Sequence, residues 1–171
     1  DLVRSRGLGD VYKRQAFDAL LRQRFLGLTR SAIAGELEAW SMEPTGALAL
    51  VLLLDQFPRQ IWRETPMAFA GDPQALALSL QAVALGWLEA EAGQARRQFW
   101  LMPLMHSEDL AVQEEALPLF ARFSDPRTAD FARRHRDVIA RFGRFPHRNA
   151  ALGRDSSAEE LAFLQTPGSR F

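Results

Sequence analysis

Apolar residues recur along this chain every three or four positions, which is the spacing of amphipathic helices. Phe17, Leu21, Phe25 and Leu28 follow it near the N-terminus, and residues 47–57 are apolar on nearly every side. Such a stretch is typical of a helix that is buried on most faces. The chain lacks the alternation of apolar and polar residues that half-buried strands require. The pattern predicts an all-α protein.

Start and stop signals divide this pattern into separate helices. The Asp-Pro pairs at 72–73 and 125–126 each place an N-cap residue before a proline at the first helical position. Ser107 is expected to cap another helix, and Ser157 with Glu160 fits a capping box. Pro58 is expected to break or kink a helix, because proline lacks an N–H and clashes with the preceding turn. The predicted helices span residues 17–28, 31–40, 47–57, 73–89, 93–101, 107–123, 126–142 and a short stretch from 158.

Helices of this length, joined by short loops, predict antiparallel pairs with a repeat-like packing. The first fifteen residues fit this picture poorly. Tyr12 and Lys13 are the only tyrosine and lysine of the chain, whereas every later Lys-or-Arg position is arginine. Residues 10–15 also resemble a translated sequencing adaptor. We expect residues 1–15 to be a non-native, disordered segment and residues 16–171 to be a single all-helical domain.

Composition excludes several classes of protein. Lys and Arg total 21 and so do Asp and Glu, so no global positive field indicates a nucleic-acid partner. The absence of cysteine excludes disulfides and thiolate chemistry. No apolar run approaches the length of about 20 residues that a membrane-spanning helix needs. A cytoplasmic protein without a membrane partner is therefore expected.

Three polar clusters, at residues 54–63, 102–109 and 142–154, interrupt the helical pattern. In the first, Asp55 and Arg59 flank a predicted helix break. They could meet a ligand there or simply hold the kink as an ion pair. In the second, His106 precedes a helix N-terminus, where backbone N–H groups favour anions. Simple capping, with His106 as a packed turn residue, is the other interpretation.

The third cluster is the basic region of the chain. Residues 133–154 contain seven arginines and one acid, Asp137. Arginine forks bind carboxylates and phosphates at two points, which indicates a small anionic ligand. Alternatively, these arginines pair with acids of the chain itself, namely Glu108, Asp109, Glu114 and Glu115. His135 lies among arginines and is predicted to be solvated.

Metal binding and nucleophilic catalysis receive less support from the sequence. His106, Glu108, Asp109 and His147 could supply nitrogen and oxygen ligands, but they lack metal-site spacing and have arginines nearby. We predict no metal site. Ser107 lies beside His106 without the glycine-flanked elbow of a nucleophilic serine. The cofactor, if any, stays unknown.

Four motifs stand in the order seen in one bacterial family: residues 53–59, 68–72, 102–109 and 143–149. From Ala16 onward the chain resembles domain-of-unknown-function family 924. The resemblance implies an all-helical fold in a tetratricopeptide-like superhelical arrangement, and it implies no established activity. Gln60 stands where the family usually has Asn. Members usually begin with a further aromatic-rich helical segment, which implies that this chain is truncated at its N-terminus.

Two functions follow from these observations. The first is a helical interaction module with a peptide or protein partner. The alternative is a pocket or enzyme for a small anion, such as a hydrolase or transferase, in which His106 or His147 moves a proton. Acids would orient the histidine and arginines would hold the ligand, so the candidate ligand-binding residues are Asp55, Arg59, Glu108, Asp109, Arg144, Arg148 and Asn149.

Overall fold

The computed structural model describes the backbone of residues 2–169 and the side chains of residues 16–169. Within that range the chain is helical and contains no strand, so the predicted all-α class is confirmed. The α-helices are α1 (Leu2–Ile33), α2 (Pro44–Val51), α3 (Phe57–Ile61), α4 (Asp72–Ala84), α5 (Trp87–Ala90), α6 (Gln94–Met105), α7 (Leu110–Phe123), α8 (Pro126–Phe142) and α9 (Ala158–Leu164).

A π-helical turn, Leu52–Gln56, joins α2 to α3. At its end the Phe57 N–H donates to the Leu52 carbonyl, five residues back instead of four. Pro58 then lies in the first turn of α3, where its missing N–H is tolerated. The predicted break at Pro58 is therefore a local widening of a helix that continues to Ile61.

Other helix boundaries differ from prediction for identifiable reasons. The predicted helix over residues 31–40 is wrong, because α1 runs to Ile33 and Gly35 then adopts a left-handed φ of 79°. Gly86, with φ 72°, likewise divides the helix predicted over residues 73–89. The helix predicted over residues 93–101 continues to Met105, so that Pro103 lies inside α6.

The capping predictions divide in the same way. Asp125 caps α8 through the Thr128 N–H, and Ser157 forms the predicted capping box. Asp72 is already the first residue of α4, and the N-cap of that helix is Gly71. Ser107 is not the cap of α7, because Asp109 fills that position. Asp72 is thereby left free to contact other elements.

One apolar core is shared by α2, α4, α6, α7 and α8, with Trp100 and Phe120 among its fully buried side chains. A smaller cluster of Val138, Ile139 and Phe145 seats the loop after α8 against that helix. Burying a phenylalanine such as Phe145 stabilises the fold by about 2–3 kcal/mol. This loop is therefore anchored by its own aromatic residue.

Two predictions about the organisation of the chain stay predictions. One is the tetratricopeptide-like superhelical arrangement. The other is the non-native, disordered segment at residues 1–15, whose side chains lie outside the described residues, as do residues 170–171 of the predicted 16–171 domain.

Candidate functional site

The predicted polar clusters meet where four segments of the fold come together. These segments are the π turn with α3, the N-terminus of α4, the C-terminus of α6 and the loop after α8. Each contributes at least one charged or ionisable side chain to a connected set of contacts, namely Asp55, Arg59, Asp72, His106 and Arg148.

Asp55 and His106 form the centre of this set. Asp55 is fully buried in the π turn, and its Oδ1 lies 2.6 Å from Nδ1 of His106 at the end of α6. Gln56 also donates to the Asp55 carboxylate. The His106 side chain is 14% exposed, so the pair lies at the edge of the interior. π-Helical turns occur frequently at functional sites.

Arg59 connects this pair to α4. Its Nη1 lies 3.1 Å from Asp55 Oδ1 and also donates to the Asp55 carbonyl oxygen. The same guanidinium meets Asp72, with Nη1 3.0 Å from Oδ1 and Nη2 3.0 Å from Oδ2. One arginine therefore holds two carboxylates in fixed positions.

Arg148 closes the set into a ring. Its Nη1 lies 3.0 Å from Asp72 Oδ2, and its Nη2 donates to the His106 carbonyl oxygen over 2.9 Å. The guanidinium also stacks on the rings of Phe69 and Phe145, with 4.7 Å to each centroid. The contacts thus begin at the His106 ring and return to the His106 backbone, which fixes this residue at both ends.

Burial and charge set the protonation of the central pair. Burial raises the pKa of Asp55, but its contacts with His106 and Arg59 outweigh this effect and lower the pKa to about 2. Burial lowers the pKa of His106, the attraction of Asp55 opposes this, and the nearby charges of Arg59 and Arg148 lower it further. Asp55 is therefore ionised at neutral pH and His106 is neutral.

A second acid, Glu108, ties the loop after α8 to the start of α7. Its Oε1 accepts the Phe145 N–H over 2.7 Å, and Arg154 binds both of its oxygens at 2.7 and 2.9 Å. Burial raises the pKa of Glu108, and these hydrogen bonds lower it to below its ordinary value. This contact is a bidentate pair that holds the loop closed.

Aromatic rings link the two remaining histidines to the site. The His135 ring lies 6.3 Å from that of His106 and 5.5 Å from that of Phe145, which in turn lies 5.5 Å from His147. Burial, followed by the charges of Arg148 and His106, lowers the pKa of His147 to about 4. His106 and His147 thus lie in one cluster rather than on opposite faces.

Comparison with known proteins assigns the chain to a family. The family model described as bacterial protein of unknown function (DUF924) matches residues 9–168. This chain belongs to the DUF924 family. The resemblance drawn from the four motifs is confirmed.

A solved structure is similar to this chain over most of its length. The chain is 38% identical to the protein of unknown function ATU0120 from Agrobacterium tumefaciens, with a TM-score of 0.82. The match covers 88% of this chain and 84% of that chain. No curated protein matches the chain.

Three predicted ligand-binding residues of this DUF924 chain have other partners. Arg144 binds both oxygens of Glu160 at 2.7 and 2.8 Å. Asn149 is buried and donates to Ser156 Oγ over 3.0 Å. Asp109 accepts the Ala111 N–H and so caps α7. Their contacts fasten loops and helix ends, and the acid that binds Arg144 is Glu160, which is not among the four acids expected from the sequence.

Two residues of the site were missed from the sequence. Asp72 looked like a helix cap, and His135 was expected at the surface. His135 is instead 4% exposed, and its Nδ1 lies 2.7 Å from the Phe131 carbonyl oxygen. The apolar spacing of Phe131, Val138 and Phe142 around it would have placed His135 on the inner face of α8. Its arginine neighbours obscured that signal.

The described part of the chain also bears on metal and membrane binding. Among residues 16–169, no group of three or more His, Asp or Glu side chains is placed to hold a metal ion. None of the described helices combines the length and the apolar character needed to cross a bilayer.

Proposed function

We propose that His106 is a general base and that the protein acts on a small polar molecule, as a hydrolase or a transferase. The observation that carries the proposal is the 2.6 Å contact between buried Asp55 and the partly exposed His106. An ionised aspartate that accepts the Nδ1–H leaves the lone pair of the imidazole on Nε2. Among the described residues, none hydrogen-bonds to that nitrogen.

The chemistry follows from this orientation. Nε2 of neutral His106 takes a proton from water or from a second substrate's hydroxyl as that oxygen attacks the carbonyl carbon of an ester or amide. When the bond to the leaving alcohol or amine breaks, the imidazolium returns the proton to it. Asp55 then stabilises the imidazolium that forms, as an aspartate does in a catalytic triad. Arg148 donates to the His106 carbonyl oxygen and so fixes the backbone of His106, which helps to hold the imidazole in one orientation before the reaction. The lowered pKa keeps the base unprotonated at neutral pH.

The charges of the site favour a neutral substrate. Arg59 and Arg148 converge on Asp72, and Asp55 and Asp72 together offset both arginines. The anion first suggested for these arginines would have to compete with Asp72 for them. We therefore favour a polar, uncharged group such as an ester or amide beside His106.

Chromogenic esters, amides and phosphomonoesters test this function with the purified chain. We expect turnover of a neutral ester or amide and a fall of kcat by at least about 100-fold in His106→Gln and in Asp55→Asn, since both remove the oriented base. His147→Gln, in the same cluster, is the matched control and should retain most activity. Equal activity in His106→Gln and the wild type would disprove the role of His106.

A measurement without substrate gives an independent answer. Nitrogen-15 NMR of labelled histidine distinguishes the two neutral tautomers of His106. We expect the Nδ1–H tautomer in the wild type, and a mixture of both tautomers in Asp55→Asn. An Nε2–H tautomer in the wild type would exclude the proposed base.

An interaction module is the second candidate, and one groove favours it. The groove, of about 380 Å³, lies between the end of α1 and α4. Its lining includes the apolar residues Leu37, Leu50, Leu54, Ala77 and Leu78 and the polar residues Glu38, Ser41, Gln74 and Gln81. A short apolar peptide segment fits such a surface. Peptides enriched from a displayed library should lose affinity when Ala77→Arg fills the groove. A library that yields no binders would contradict this candidate.

The cytoplasmic location expected from the sequence stays a prediction.

A further inference from the structure

A second cavity lies between α1 and the C-terminal end of α3. It holds about 410 Å³, which is within the range of small-molecule sites. Residues 60–63 of its lining belong to the first polar cluster, but the sequence indicated a site in that cluster only at Asp55 and Arg59. Its walls are formed by Asp18, Ala19, Arg22, Gln60, Ile61, Trp62, Arg63 and Thr65.

The charge of this cavity differs from that of the His106 ring. Two arginines, Arg22 and Arg63, face a single acid, Asp18, so the lining carries a net charge of about +1 at neutral pH. In the ring, by contrast, two acids offset two arginines. A single negative charge on a ligand would balance this lining.

Both arginines retain donors for a ligand. Arg63 uses Nη2 to reach Asp18 Oδ1 at 3.1 Å and the Gln60 side chain. Arg22 uses Nη2 to reach the Ile61 carbonyl oxygen. A guanidinium has five N–H groups, and the described residues engage no Nε or Nη1 atom of either arginine. Two forks with open donors can bind one carboxylate.

The rest of the lining is mixed: Gln60 and Thr65 are polar, and three residues are apolar or aromatic. Trp62 is half-buried and presents an indole ring, Ile61 is buried, and Ala19 adds a small apolar side chain. The aromatic body of a ligand can stack on such an indole, which adds to the stabilisation that burial of apolar area gives. The wall therefore complements the body of a ligand whose charged end meets the arginines.

We propose that this cavity binds a small monoanion with a flat apolar body, of the aromatic carboxylate class. The carboxylate takes the open donors of Arg22 and Arg63, and the ring lies against Trp62. Asp18 competes with the carboxylate for Arg63 and so limits the affinity. The site is separate from His106 and requires no chemistry there.

Isothermal titration calorimetry of the whole chain at low salt tests the proposal, with benzoate as the anion and benzamide as its neutral counterpart. We expect benzoate to bind more tightly than benzamide. Arg63→Gln should weaken benzoate by about tenfold, because it removes a charge-assisted hydrogen bond. Asp18→Asn should strengthen benzoate binding, because it removes the competing charge. Added salt should weaken it.

Matched controls come from α8. Arg133 pairs with Asp130 on the surface much as Arg63 pairs with Asp18, and the two arginines are 54% and 44% exposed. Arg133→Gln and Asp130→Asn should leave benzoate affinity unchanged. Because Arg63 is exposed, Arg63→Gln should also keep the far-ultraviolet circular dichroism of the wild type.

Three results would overturn the proposal. They are equal affinities for benzoate and benzamide, equal effects of Arg63→Gln and Arg133→Gln, and no benzoate binding by either the wild type or Asp18→Asn. His106→Gln separates this site from the proposed base. Benzoate affinity should be unchanged in that variant, so the loss of one activity leaves the other measurable.

Discussion

Lowering the pH from 7 to 5 should destabilise this protein through its buried histidines. His135 is 4% exposed, and burial lowers its pKa to about 3, against an ordinary value of 6.5. The hydrogen bond to the Phe131 carbonyl offsets only part of this effect. The unfolded chain therefore takes up a proton near pH 6.5, whereas the folded protein does not do so until about pH 3.

The size of the effect follows from this difference. Between pH 6.5 and pH 5 the free energy of unfolding falls by about 1.4 kcal/mol per pH unit for each such histidine, or about 2 kcal/mol for His135. His147, with a pKa of about 4, adds about the same amount. Domains of this kind are stable by about 5–15 kcal/mol, so the loss is large. The carboxylates with lowered pKa, such as Asp55, cost stability only at lower pH.

Urea unfolding at pH 7 and pH 5, followed by circular dichroism, measures this loss. His135 and His147 together should cost the wild type about 4 kcal/mol, and His135→Gln should lose about 2 kcal/mol less than the wild type because its side chain does not titrate. Arg133→Gln, an exposed neighbour on the same helix, should behave as the wild type. An unchanged pH dependence in His135→Gln, or an NMR titration of His135 near pH 6.5, would refute the reasoning.

Three further predictions concern stability. Gly71→Ala should destabilise the fold by about 1–3 kcal/mol in urea unfolding, because the new Cβ would lie 2.3 Å from the Leu54 carbonyl oxygen; no change would show that α4 can shift. Gly27→Ala, which meets nothing within 4 Å in mid-helix, should instead stabilise it by about 0.5–1 kcal/mol, and a loss would contradict the open space seen there. Arg148→Lys should cost about 2–4 kcal/mol, because an ammonium cannot reproduce the fork to Asp72 or the ring stacking, and wild-type stability would show that charge alone suffices.

The helical fold could be predicted because it depends on local signals. Apolar spacing and the Asp125 and Ser157 caps act within one or two turns of the chain, and the structure shows both caps in place. The helix boundaries that were predicted wrongly lie at positions where a non-local contact or a left-handed glycine determines where the helix ends. Gly35 and Gly86 are such glycines, and their φ depends on how the flanking helices pack.

The site could be predicted only in part. The sequence identified Asp55, His106 and Arg148 as polar residues at helix ends, but their partners depend on contacts across as many as 76 residues, as between Arg148 and Asp72. A cap signal at Asp72 describes only its own helix. The packing of four segments determines which acid pairs with which arginine. No local sequence pattern contains that information.

The buried ring is a costly way to join four segments. Removing Asp55 from water costs several kcal/mol, and apolar side chains of similar volume often hold a junction equally well. Apolar packing cannot orient both an imidazole nitrogen and the backbone carbonyl of the same residue. In this protein the connected charged residues do both for His106: Asp55 contacts its imidazole, and Arg148 donates to its carbonyl oxygen. Its charges therefore make better physical sense as a device that positions His106 than as a source of stability, which is why the proposed function rests on that histidine.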